Sequence, residues 1–197
     1  HRGPRLLEAL AEFRADRNAR AVRMAEALRA CGLQLDLPRR SAIGRPHLAQ
    51  AAFEHPANRM RLQREEIVNA SQLLAAYLVT GAPAYRRRTM PTVGEAIALV
   101  HDAGGVAVWA HPFWDVDAAP AVLETIDRFA ALGLDGVEAF YPSHDAEQTA
   151  LIAARCAERD MLTTGSADFH GPAHPIFNRF RAFELHGLEP RLGPIAG

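Results

Sequence analysis

The sequence predicts an α/β fold in two parts, a helical section over residues 1–91 and a βα section over residues 92–197. Two observations carry this. After residue 92 the short apolar runs "GVAVWA", "DGVEAF" and "MLTTGS" alternate with helical stretches of roughly 10 to 15 residues, the pattern of βα units on a parallel sheet or barrel. Before residue 92 the chain shows helical periodicity with many arginines and no comparable strand run.

Residues 5–31 read as one long helix ending at Gly32, followed by the loop "LPRRSAIGRPHLAQ" and shorter helical stretches. The clearest of these is "EEIVNASQLLAAYL", with Ile67, Ala70, Leu74, Tyr77 and Leu78 on one face. Thr92 and Glu95 have the spacing of a capping box for a helix ending near Gly104. "GVAVWAHP" reads as a strand running into a proline stop. Helix 119–132 ends at Gly133, the strand "DGVEAFYP" follows, and a helix from Asp145 to Arg159 leads to the strand "MLTTGS". A last strand is expected at "FRAFEL".

With 197 residues, 49% of them hydrophobic, the chain can bury a substantial core in one or two domains. A formal charge of -1 gives no global pull toward nucleic acid or anionic membrane, so polyanion binding requires a local positive cluster. The two cysteines, Cys31 and Cys156, form no framework and suit a reducing cytoplasm. No apolar run reaches the roughly 20 residues that span a bilayer, and no signal peptide is visible, so no membrane partner is expected.

In parallel α/β folds, ligands bind at the C-terminal ends of the strands. Here those ends carry His111, His144, and the pair Asp168 and His170. Strand periodicity sends Asp168 and His170 to one side and Phe169 into packing on the other. Imidazoles converging with a carboxylate suit a divalent transition metal.

On the long helix, at about 100° per residue, Leu6, Leu10, Phe13, Arg17, Arg20, Met24 and Leu28 fall within about 40° of one direction. The two arginines interrupt an apolar stripe. A buried guanidinium needs an anionic partner, met either by structural carboxylates or by a bound phosphate, unless the Arg stems snorkel to water. Arg45 and His47, in "IGRPH", are further candidates for the same anion, whereas Arg86, Arg87 and Arg88 read as a solvated face or as charge that steers a polyanion.

"GRPHLAQ", "YLVTGAPAY", "AGGVAVWAHP", "GVEAFYPSH" and "TGSADFHG" follow one another in this order over nearly the whole chain. They resemble the polymerase-and-histidinol-phosphatase (PHP) family of metal-dependent phosphoesterases, in its branch of nucleotide phosphatases and 5′→3′ exoribonucleases. The resemblance implies part of a distorted seven-stranded (βα) barrel with a helical insertion. It also implies a cytoplasmic hydrolase that uses two or three divalent ions (Mn, Zn or Fe) and activated water. The implied substrate is a phosphorylated small molecule, a nucleotide or the 5′ end of a short RNA. By position, His111, Asp168 and His170 match metal ligands. Arg17, Arg20, Arg45 and His47 fall in the segments that contact substrate phosphate, and His144 is expected at the rim of the site or just behind the ligands.

The sequence departs from the family twice. Ala167 stands where the branch carries Ser before the Asp, with Ser166 one step earlier. The family's opening Asp-x-His-x-His motif, its Thr-Asp-His stretch and a following Glu have no counterpart here; roughly the first third of the family's length is expected to be missing, and His1 is left unassigned. The implied activity is therefore expected to be weak in this chain. The alternative is a catalytically inactive PHP-like module that binds nucleotide or RNA phosphate, or serves as a scaffold.

Overall fold

The structure is a computed structural model describing residues 3–37, 39, 42–172, 174 and 176–196, apart from the Asp115 side chain. The chain divides into two compact units, one of residues 1–6 and 91–197, the other of residues 7–90. A 27-residue helix, α1 (Pro4–Ala30), starts in the first and continues into the second.

In the unit of residues 7–90, α1 is followed by α2 (Arg45–Glu54), α3 (Arg59–Arg64) and α4 (Ala70–Tyr77). Helix α1 stops at Gly32, whose φ of 81° lets the Leu33 amide donate back to the Leu28 carbonyl. Met24 and Leu28 pack with Leu33, Leu48, Leu73 and Leu78 to form the core. Asn58 is buried within this unit, its side-chain amide donating to the carbonyls of Gln34 and Ala52 and its oxygen accepting from the Gln34 amide. Those bonds offset the cost of burying a polar group.

The periodicity reading of this section needs two corrections. The helix expected across "EEIVNASQLLAAYL" covers only Ala70–Tyr77, because Glu66 takes a left-handed φ of 56° and Asn69 caps a new helix by accepting from the Gln72 amide. Its buried face carries Leu73 rather than Leu74. The stripe on α1 is buried only near its C-terminal end. Leu10 and Arg17 are exposed, while Leu6, Phe13 and Arg20 are half-buried.

The other unit is built of βα repeats. Helix α5 (Val93–Asp102) leads to β1 (Val108–Trp109); the short α6 (Pro112–Asp115) and α7 (Ala119–Ala130) precede β2 (Gly136–Phe140), and α8 (Ala146–Glu158) precedes β3 (Leu162–Gly165). The strands form one parallel sheet in the order β1-β2-β3, with Trp109 opposite Val137 and Val137 opposite Thr163. The expected capping box at α5 is present: the Thr92 hydroxyl accepts from the Glu95 amide at 3.3 Å and the Glu95 carboxylate accepts from the Thr92 amide at 2.8 Å. Asp145 and Gln148 make the same reciprocal pair on α8. Gly133, at φ 95°, turns the chain from α7 toward β2. All five residues of β2 are buried, and Val137, Ala139 and Phe140 share the core with Val122, Ile126 and Ile152.

The structure is an α/β fold with one three-stranded parallel sheet among the described residues. One further expectation changes here. "FRAFEL" forms no strand; the free side of β3 is met instead by Arg191, whose carbonyl accepts from the Thr163 amide and whose amide donates to the Thr163 hydroxyl. No helix among the described residues is long and apolar enough to cross a membrane.

Ile126→Ala leaves a void in a fully buried position, and a loss of about 2–5 kcal/mol is expected. Thr92→Ala removes one exposed cap and should cost about 1 kcal/mol. Urea denaturation of the two variants measures both effects.

Candidate functional site

The C-terminal ends of the strands bring His111, Glu138, Tyr141, Ser166 and Asp168 into one neighbourhood. His111 follows the end of β1 with φ 35° and ψ 63°, and Asp168 follows the end of β3 with φ 45°. Left-handed backbone costs an L residue about 1–2 kcal/mol. In both cases a side chain receives the amide that the strand no longer uses. The His111 amide donates to Glu138 Oε2 at 2.9 Å, and the Asp168 amide donates to Ser166 Oγ at 3.0 Å. The hydroxyl that meets the Asp168 amide is that of Ser166, one residue before Ala167.

The Asp168 carboxylate accepts from the Tyr141 phenol at 2.9 Å through Oδ2. Its Oδ1 lies 3.6 Å from His170 Nδ1, and that nitrogen also contacts the Asp168 carbonyl. This contact assigns the proton to Nδ1 and leaves the Nε2 lone pair available. Asp168 and His170 come together through a turn after β3 rather than through strand alternation. Phe169 correspondingly stays out of the core: it is 39% exposed and packs on the exposed Phe180, with ring centroids 4.2 Å apart.

His111 packs on Tyr141 with centroids 5.3 Å apart, and its Nδ1 is buried with no hydrogen-bond partner among the described residues. His144 is not at a rim. Its ring is 6% exposed, between Phe113 and Tyr141, with Nδ1 bonded to the Ala139 carbonyl and Nε2 buried without a partner. Burial holds its pKa below the ordinary imidazole value, which keeps the ring neutral.

The residue-type reading passed over Glu138 and Tyr141. Glu138 is 7% exposed in the middle of β2, and burial pushes its carboxyl above the usual range, opposed by the His111 amide. The signal was a lone carboxylate in an otherwise apolar run, costly unless it is hydrogen-bonded. Burial, followed by the bond to Asp168, drives the Tyr141 phenol far above its ordinary pKa.

As metal donors these side chains fit part of a coordination sphere. The His111 and His170 rings each have a nitrogen outside any hydrogen bond shown here, and Asp168 supplies a carboxylate; such a set suits a first-row transition ion. Among the described residues no three His, Cys, Asp or Glu side chains are grouped so as to hold an ion by themselves.

Within the unit of residues 7–90, Arg17, Arg20 and Arg45 line a small cleft with Ile43 and Gly44. Arg20 donates to the Arg86 carbonyl at 2.5 Å and lies over the Tyr85 ring at 5.3 Å. Desolvation lowers its pKa, Tyr85 raises it, and the like charges of Arg45 and Arg88 lower it further. Arg88 therefore belongs with this cluster and is not a purely solvated residue; its Nε is buried without a partner. Among the described residues no carboxylate forms a salt bridge with Arg17, Arg20, Arg45 or Arg88. His47 Nδ1 is engaged, accepting from the Gly44 amide at 3.0 Å at the start of α2.

Alkaline titration followed by tyrosinate absorbance should separate the three tyrosines. Tyr85, whose pKa is lowered chiefly by its bond with Thr80, should ionise first, and Tyr141 last. Tyr141→Phe should remove the last component and leave the first in place.

Comparison with known proteins returns phosphoester hydrolases, together with a solved structure described as an amidohydrolase of Chromobacterium violaceum. That structure has a TM-score of 0.64 at 26% identity, over 88% of this chain and 60% of that one. No family model matches the chain. It is 27% identical over 169 residues to a 5′-3′ exoribonuclease of Haemophilus influenzae, covering 86% of this chain and 60% of that protein. It is 26% identical over 179 residues to a 3′,5′-nucleoside bisphosphate phosphatase of Chromobacterium violaceum, covering 86% of this chain and 59% of that protein. A crystal structure from Bifidobacterium adolescentis, assigned as a metal-dependent phosphoesterase, superposes with a TM-score of 0.65 at 26% identity, over 88% of this chain and 61% of that one. The chain thus spans about 60% of the length of the curated relatives it matches. Together with the ordered motifs, these likenesses support one family as the one this chain is similar to, the PHP-type metal-dependent phosphoesterases.

Proposed function

We propose that the protein hydrolyses phosphate esters of nucleotides, or of the 5′ end of short RNA, in a metal-dependent reaction in the cytoplasm. The observation that carries this reading is the convergence of His111 and Asp168 at the ends of β1 and β3, with Tyr141 between them donating to Asp168. His111, Asp168 and His170 would hold divalent ions, of Mn, Zn or Fe type, as part of a set of two or three. Such ions supply Lewis-acid polarisation of the phosphoryl group and lower the pKa of attacking water.

The chain's own residues do the remaining work. Tyr141 keeps one Asp168 oxygen hydrogen-bonded and directed, while the bond between His170 Nδ1 and the Asp168 carbonyl fixes the ring tautomer. The neutral His144 ring, held by the Ala139 carbonyl, supports the site from behind Tyr141. Arg17, Arg20 and Arg45 bind substrate phosphate, with Arg guanidinium geometry suited to paired oxygens. His47 shapes that cleft by capping α2 at Gly44. The relatives' names support nucleotides, nucleoside bisphosphates or RNA as the substrate class. Both cysteines are free, in keeping with a reducing compartment.

A second reading, a module that binds nucleotide or RNA phosphate without turnover, is favoured by the Arg cluster, which needs no metal to attract an anion. The two readings separate in one experiment with a nucleoside 3′,5′-bisphosphate and Mn²⁺, at enzyme concentrations high enough to register weak turnover. Turnover abolished by chelator, and reduced at least about 10-fold in His111→Ala, supports the hydrolase. Binding that is insensitive to chelator, with no turnover, supports the module. In either case Arg20→Ala should weaken inorganic phosphate binding by about 10-fold, read by calorimetry.

A further inference from the structure

Resting on the reading of His111 and Asp168 as metal donors, we propose that Glu138 is a positioning residue that holds the backbones of both. It acts on His111 directly and on Asp168 through Ser166. The two donors lie at the ends of different strands, and β2, which carries Glu138, is the strand between them. Trp109 pairs with Val137, so continuing the β1–β2 register brings Ala110 opposite Glu138, with His111 one residue beyond. On the other side Glu138 pairs with Thr164, two residues before Ser166.

At both ends the chain leaves the strand through a left-handed residue, φ 35° at His111 and φ 45° at Asp168. The backbone at such a residue no longer follows the strand, so its amide needs another acceptor if it is kept from water. Glu138 Oε2 provides one at His111, and Ser166 Oγ provides the other at Asp168. Against the larger effect of burial, the Ser166 side chain also lies near enough to the Glu138 carboxylate to lower its pKa slightly. A hydroxyl can donate once while accepting, so Ser166 is able to relay the hold from the carboxylate to the Asp168 amide. A carboxylate accepts from several donors at once and makes stronger hydrogen bonds than a neutral acceptor. This explains why an otherwise apolar central strand carries a residue that burial penalises. An apolar residue at position 138 would leave both strand ends free to relax toward ordinary backbone, and the two donors would lose their relative placement.

Amide hydrogen exchange and Mn²⁺ titration on the whole chain, read by NMR, test the proposal with Glu138→Met, Glu138→Gln and Ser166→Ala. In Glu138→Met, exchange at both the His111 and Asp168 amides should accelerate about 10-fold or more while the Val137 amide keeps its protection. Mn²⁺ affinity, followed by broadening of the His111 and His170 ring protons, should fall about 10-fold in the same variant. Glu138→Gln retains an acceptor oxygen and should restore both His111 protection and Mn²⁺ affinity. Ser166→Ala should affect the Asp168 amide, and Mn²⁺ affinity with it, but not the His111 amide.

Unchanged exchange at His111 in Glu138→Met overturns the proposal. So does faster exchange with unaltered Mn²⁺ affinity, which would make Glu138 a structural residue only. If Glu138→Met does not fold, Ser166→Ala decides: an unmoved Asp168 amide or an unmoved Mn²⁺ affinity counts against the relay. If the unmodified chain shows no Mn²⁺ broadening, the metal reading fails, and the exchange data still judge the hold on the two backbones.

Discussion

A carboxylate in the interior of the central parallel strand is the constraint to which the rest of the βα unit answers. A strand covered on both faces is normally apolar along its length, and β2 is, except for Glu138. Removing a carboxylate from water costs several kcal/mol unless hydrogen bonds replace the lost hydration. The replacements here come from neighbouring strand ends. β1 breaks off so that the His111 amide can reach Glu138, and the chain turns at once into α6 behind Pro112. β3 ends at Gly165 and passes through Ser166 to Asp168. The polar edge of the sheet, with its two left-handed residues and the phenol between them, follows from where that one charge sits.

Around this edge the imidazoles are sorted by environment rather than by type. His144 is enclosed by Phe113 and Tyr141 and kept neutral by burial, with its proton on the nitrogen facing Ala139. His170 is half open to solvent, its tautomer set by a main-chain carbonyl. His101 lies elsewhere, pairing with Asp135 at 2.7 Å, and Asp135 also accepts the Ala107 amide that leads into β1. Each ring has one nitrogen committed to an oxygen acceptor. What distinguishes His144 and His170 from His101 is whether a chemically useful nitrogen is left near the strand ends.

In the unit of residues 7–90, Arg20 sits among like charges. Desolvation lowers its pKa and the nearby Arg45 and Arg88 lower it further against the opposing effect of Tyr85, and no carboxylate among the described residues forms a salt bridge with any of the three. Such an arrangement stores repulsion that an anion would relieve. The apolar stripe on α1 singles out Arg17 and Arg20 as interruptions of a face expected to be buried. Arg17 is exposed and Arg20 half-buried, so a need for buried pairing is not what marks them. What marks them is their company, including Arg88, which a run of three arginines in sequence disguised as a solvated face.

Local rules were legible in the sequence wherever the cause is local. The capping pair Thr92–Glu95, the helix stop at Gly32, the order of the strands and the clustering of His and Asp at their ends depend on residues a few positions apart, or on the two-residue alternation of strands. Features set by distant partners were not legible. "FRAFEL" has a strand-like composition but no ladder to join, because Arg191 already meets β3. The helix reading at residues 65–69 gave way to a turn at Glu66, whose amide donates to the Gln63 carbonyl, while Glu65 binds Arg61 and Tyr77. By itself the sequence determined the class of fold, the family likeness and the residue types brought to the strand ends, because motif order and periodicity survive without coordinates. Only the tertiary structure decided that Glu138 and Tyr141 join them, that His144 is sealed in and that Phe169 faces outward. Those outcomes depend on which amides, rings and hydroxyls are left unpaired once separate strands come side by side, and no local pattern records that.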